Sequence, residues 1–118
     1  MFWAAAKTKA LALSGAGWLK PRHRLATLRI AIAGDLHGQW DGLDEEVLAA
    51  LAPDALLVVG DLSDGQQLIP KRLTRLSLPM ACILGNHDTG RDASGRTLQR
   101  QLDLLGNLHC GWGLRELH

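Results

Sequence analysis

The sequence predicts an α/β domain in which a parallel sheet is flanked by helices. Two observations carry that class. Three short apolar runs, Leu28–Ala33, Ala55–Val59 and Met80–Leu84, each end in glycine followed by a polar residue. Helical patterns fill both intervals and follow the third run, so the order is strand, helix, strand, helix, strand, helix. That order produces parallel strands joined by right-handed crossovers. Strands this continuously apolar suit a sheet covered on both faces.

Residues 1–27 come first. No Asp or Glu precedes Asp35, whereas Lys7, Lys9, Lys20, Arg22, Arg24 and Arg29 all do. The stretch reads as a basic N-terminal tail or leader. Its apolar run, Ala10–Leu13, is short for a secretory core and is broken by Ser14-Gly15, so a tail is expected and a targeting leader is the alternative. Residues 28–118 are the expected domain. After the first strand, Trp40, Leu43, Val47, Leu48 and Leu51 recur at helical spacing, with Asp41 as N-cap and Pro53 past the end. Ile69, Leu73 and Leu76 form the second helical pattern, with Pro70 in its first turn. Leu98, Leu102 and Leu105 form the third and stop at Gly106. Leu108–Leu117 reads as the start of a fourth strand.

Composition narrows the function. The chain has 118 residues and a net charge of +1, which does not mark a polyanion binder. Four Trp, one Phe and no Tyr argue against a platform for stacking single-stranded nucleic acid. Cys82 and Cys110 form no CxxC; Cys82 lies in an apolar run and reads as core. No stretch reaches the roughly 18 uninterrupted apolar residues of a membrane span. A cytoplasmic location is expected.

The chemistry sits at the strand exits: Gly34-Asp35-Leu36-His37-Gly38, Gly60-Asp61-Leu62-Ser63-Asp64-Gly65 and Gly85-Asn86-His87-Asp88. Ligands of open α/β sheets bind beyond the carboxyl ends of the strands. Asp35 and His37, two apart, point the same way in extended backbone and can grip one ion together. Asp35 to Asp61 spans 26 residues and Asp61 to Asn86 spans 25, one crossover unit each, so the three tips are neighbours. Each motif alone is an ordinary turn; the three in succession read as a metal site. A nucleotide-binding glycine loop is missing, because the first exit is GDLHGQW rather than GxGxxG or GxxxxGK[ST].

DLH, GDLSDG and GNHD, in this order and on these strands, resemble the first three blocks of the calcineurin-like metallophosphoesterase superfamily. The resemblance covers about Leu28 to Asp88. It implies the first half of a metallophosphoesterase-type α/β sandwich and a dinuclear metal site. It implies that Asp35 and His37 hold the first ion, that Asp61 bridges both and that Asn86 binds the second. His87 would contact the phosphate and protonate the leaving group, and Asp64 would orient His87. Mixed Asp, His and Asn donors suit Mn, Fe or Zn, with Mg as a further option. Two cations about 3.5–4 Å apart clamp a phosphoryl group and acidify a water, and His donates protons near neutral pH.

The sequence departs from the superfamily pattern in having neither the further His nor the later Gly-His-x-His block. The first ion then has three protein ligands and the second two. His109 reads as a surface or turn histidine, His23 precedes the first strand and His118 ends the chain. Gly65 and Asp88 stand where protein serine/threonine phosphatases of the superfamily carry Arg and Glu, so a phosphoprotein substrate is not expected. Lys71-Arg72 with Arg75 reads as a solvated helix face. Gly111-Trp112-Gly113 reads as a substrate loop or a turn.

The resemblance thus implies a hydrolase acting on a phosphomonoester or phosphodiester, small-molecule or nucleotide-like, through a metal-bound hydroxide. The alternative from another class is a truncated metal-binding or interaction module, self-associating through an unfinished sheet edge.

Overall fold

The computed structural model describes residues 2–12 and 24–111, with side-chain surroundings from residue 27 onward. In chain order the elements are β1 (Phe2–Ala12), β2 (Arg24–Gly34), α1 (Gly42–Leu51), β3 (Ala55–Val59), α2 (Leu68–Leu73), β4 (Met80–Ile83) and α3 (Arg96–Leu105). Short 3-10 turns cover Asn86–Thr89 and Gly106–Leu108. Among the described residues the strands form one sheet in the order β1-β2-β3-β4.

Three strands are parallel, as the alternation requires. Ile30 to Gly34 pair with Ala55 to Val59, and Leu56 to Val59 pair with Met80 to Ile83. The fourth was not expected. β1 runs antiparallel to β2, from Phe2 opposite Gly34 to Ala12 opposite Arg24. Residues 2–12 form a strand, and residues 27 and 28 both lie within β2. The absence of acids describes charge, not conformation. The outer edge of β2 carries N–H and C=O groups that a neighbouring strand satisfies.

Each parallel step moves the same way across the sheet, so right-handed crossovers put the helices on one face. Ala31, Ala33, Leu56, Val58, Met80 and Cys82 line that face and pack with Leu48 of α1, Ile69 and Leu73 of α2 and Leu105 of α3. Ile30, Ile32, Leu57 and Val59 project to the other face and are half-buried, while Ile83 is exposed. Among the described residues no helix covers that face, so the expected two-sided cover is one-sided. At the start of the segment expected to open a further strand, His109 makes an isolated parallel bridge to Cys82, and Cys110 N donates to Cys82 O at 3.0 Å. Residues 112–117 of that segment lie outside the described residues, as do His23 and His118 and most of Gly111-Trp112-Gly113.

α1 starts where Asp41 caps it. The Asp41 carboxylate accepts from Leu43 N at 2.8 Å, and Asp44 returns the favour to Asp41 N at 3.0 Å, a capping box. Trp40 and Leu48 are buried, but Leu43 is 67% exposed and Val47 44%. Leu48 lies five residues after Leu43, about 140° around the helix, so the two cannot share the sheet-facing stripe. Arg72 Nε donates to Glu45 Oε1 at 2.9 Å, which ties α2 to α1, while Lys71 and Arg75 stay exposed. α3 is closed by Gly106 at φ +52°. Its start is held by Asp92, whose Oδ2 accepts from Thr97 N at 3.0 Å and Thr97 Oγ1 at 2.8 Å.

Candidate metal centre at the strand tips

Backbone amides stitch the three tips together before any functional side chain is considered. Asp35 N donates to Gly60 O at 3.2 Å, His37 N to Asp61 O at 2.9 Å and Gly38 N to Leu62 O at 2.8 Å. Gly60 N donates to Ile83 O at 3.0 Å. Leu36 and Leu62 are fully buried and anchor the first two tips in the core.

The chain reaches this arrangement through left-handed backbone. Asp35, His37, Asp61 and Asp64 have φ of 49°, 46°, 52° and 52°. Such conformations are uncommon outside glycine, and where they persist at a site they mark imposed geometry. Asp35 and His37 therefore do not reach the same side through extended backbone, as their spacing suggests. Buried Leu36 between two left-handed residues sends both outward.

Ligand atoms of Asp35, His37 and Asp61 lie within 4.8 Å of one another. Two carboxylates and an imidazole at that spacing fit one divalent ion. Asp61 Oδ1 also accepts from His87 N at 3.0 Å, which joins the second tip to the third. Asn86 lines the same open cleft as His37, Asp64 and His87, with Gly90 and Arg91, in a volume of about 530 Å³. The expected ligand residues thus converge on one end of the sheet.

Asp64 faces both histidines of the site. Its Oδ1 lies 2.8 Å from His37 Nδ1, a hydrogen bond, and 3.9 Å from His87 Nδ1. The two imidazoles meet edge to face, centroids 5.2 Å apart. Asp64, His37 and His87 make a second group whose ligand atoms lie within 4.8 Å. A carboxylate on one ring nitrogen fixes a ligating imidazole and leaves the other nitrogen for an ion. The Asp64 hydrogen bond raises the His37 pKa above its ordinary 6.5, opposed by partial desolvation and helped by the charges of Asp64, Asp61 and Asp35.

Asp88 has a structural role that its place in the sequence does not announce. It is fully buried. Its Oδ1 accepts from Leu62 N at 2.8 Å and Ser63 N at 3.2 Å, and its Oδ2 from Gly85 N at 2.8 Å. One carboxylate therefore locks the second tip to the third. Beneath it, Gln101 Nε2 donates to Asp88 O, linking α3 to the Asn86–Thr89 turn. The signal available was an acid directly after Asn-His in a turn following an apolar strand. Arg91 was also missed; nothing in its spacing points into the cleft. His109 lines a separate hollow with Ile83, Leu84 and Gly111.

Comparison with protein-family models matches residues 28–114 to the calcineurin-like phosphoesterase family. No curated protein and no solved structure matches the chain. The matched span holds β3, β4, all three helices and most of β2, together with every residue of the strand-tip cluster. Its parallel sheet with flanking helices agrees with the first half of that family's fold. The family is one of hydrolases that bind divalent metals, and the chain belongs to it: this is a calcineurin-like phosphoesterase domain.

Proposed function

We propose that this chain carries a dinuclear, metal-dependent phosphoesterase centre at the tips of β2, β3 and β4. The observation that carries the reading is the convergence of Asp35, His37 and Asp61, with ligand atoms within 4.8 Å, in a chain of this family. Asp35, His37 and Asp61 hold the first ion, and Asp61 and Asn86 the second. Mn, Fe or Zn suits these donors. When bound, the ions polarise the phosphoryl oxygens and lower the pKa of a water.

The protein's own residues do the rest. His87 stands at the cleft and supplies the proton that the leaving oxygen needs. Its Nδ1 faces Asp64 at 3.9 Å, so the donating atom is Nε2. Asp64 holds His37 by hydrogen bond, with its Oδ1 also 3.9 Å from His87 Nδ1. The stitched backbone keeps these groups at fixed spacing. The substrate is a small phosphomonoester or phosphodiester, reached from the open side of the cleft.

The test is metal stoichiometry measured alongside hydrolysis of an aryl phosphate and a bis-aryl phosphodiester. Two ions per chain with metal-dependent turnover support the enzyme. One weakly held ion without turnover favours a metal-binding module instead.

A further inference from the structure

We propose that Arg91 is the anion-binding arm of this site, closing its guanidinium on the nonbridging oxygens of the substrate phosphoryl group; this rests on the phosphoester reading. Among the described residues lining the cleft, Arg91 is the one permanent cation; the others are His37, Asp64, Asn86, His87 and Gly90. Asp64 lines the cleft outside the proposed ligand set, so its negative charge opposes an approaching anion. A cation at the rim offsets that repulsion. The guanidinium fork matches two phosphoryl oxygens at once.

The side chain is available and its base is held. Among the described residues no hydrogen bond or ion pair engages the Arg91 guanidinium. Its backbone sits at φ +57°. Gly90 N before it donates to His87 O at 3.0 Å, and Arg91 N donates to Thr89 Oγ1 at 3.4 Å. After it, the Asp92 carboxylate takes hydrogen bonds from Ser94 and Thr97 and fixes the turn to α3. The turn also abuts the Asp64 loop, because a Cβ on Gly65 would lie 2.9 Å from Gly90 Cα. Arg91 therefore projects from a braced turn beside Asp64 and His87, with its charged end unspent.

The experiment uses the metal-loaded chain with Arg91→Gly, which suits the left-handed backbone, and Arg91→Lys, which keeps charge without the fork. Inorganic phosphate affinity is read by calorimetry, KM and kcat with an aryl phosphate, and metal affinity by titration. Arg91→Gly is expected to weaken phosphate binding and raise KM on the order of ten- to a hundred-fold, as for loss of a charge-assisted pair. Arg91→Lys recovers part of it, and metal affinity and melting temperature stay at the parent values. Unchanged phosphate affinity and KM in Arg91→Gly overturn the Arg91 assignment and leave the phosphoester reading standing. A parent chain that binds metal but neither binds phosphate nor turns over overturns that reading, and this assignment with it.

Discussion

Asp61 Oδ1 occupies the space that a side chain at Gly85 would need. A Cβ there would run into that carboxylate and lie 2.6 Å from Asp61 N. Gly85→Ala is therefore expected to displace Asp61 and loosen the join between the second and third tips. Overpacking of this kind costs about 1–3 kcal/mol. Urea unfolding would register the loss, and metal titration would register weaker binding; a variant matching the parent in both would refute the packing argument.

Asp88 separates a lock from a ligand. Asp88→Ala leaves three backbone N–H groups buried or nearly so without their acceptor, at about 1–3 kcal/mol for each. Asp88→Asn keeps one acceptor oxygen and sets its NH2 group against one backbone N–H, so it should cost less than the alanine change but more than nothing. Denaturant unfolding orders the two, and the alanine variant should fall well below the asparagine one. Near-equal losses would mean that the amide bonds drawn to Asp88 contribute little.

The pH dependence follows from His37 and Asp64. The folded pKa of His37 is raised above its ordinary 6.5, chiefly by the Asp64 hydrogen bond. In metal-free protein that pair therefore adds stability that is fully present below about pH 6.5 and is lost as pH rises through the folded pKa. Metal binding shows the opposite trend, since a proton on His37 competes with the ion, and affinity falls as pH drops through the same value. Asp64→Asn should return the imidazole resonance titration toward its ordinary midpoint. It should also weaken metal affinity about 10–100-fold, as removal of a carboxylate behind a ligating histidine does. A His37 midpoint that does not move on Asp64→Asn would remove the cause assigned to the shift.

Two histidines that touch edge to face should fail differently. His87→Asn is expected to lower kcat about a hundred-fold or more while leaving metal stoichiometry intact. His37→Ala is expected to lose the first ion, and turnover with it. Elemental analysis paired with initial rates distinguishes them; metal loss in His87→Asn with a normal rate per bound ion would reverse the two roles.

Much of this was legible because the tips repeat one rule: apolar run, glycine, donor. Capping chemistry, a separate signal, located α1 through Asp41 and closed α3 at Gly106. Other features were hidden for identifiable reasons. β1 has few branched or alternating residues and owes its conformation to the partner edge of β2, a tertiary effect that composition does not carry. Leu43 and Val47 fit a helical period without facing the sheet, because periodicity counts spacing and not where the neighbouring layer lies. The left-handed Asp35 and His37 look like any loop residues in sequence. Asp92 had a readable signal, an acid ahead of Ser94 and Thr97 at the mouth of a helix. The four hydrogen bonds it accepts from those residues hold its pKa far below the usual carboxylate range.

The main-chain stitching between the tips separates where a donor stands from which donor it is. Amides of Asp35, His37 and Gly38 meet carbonyls of Gly60, Asp61 and Leu62 through main-chain atoms alone. The assembly behaves as a socket: its mounting points are set by the peptide frame, and the groups plugged into them can be exchanged one at a time. Metal preference can thus drift through single substitutions at Asn86, and at Asp35 or His37 by residues that accept left-handed backbone, without the frame being rebuilt.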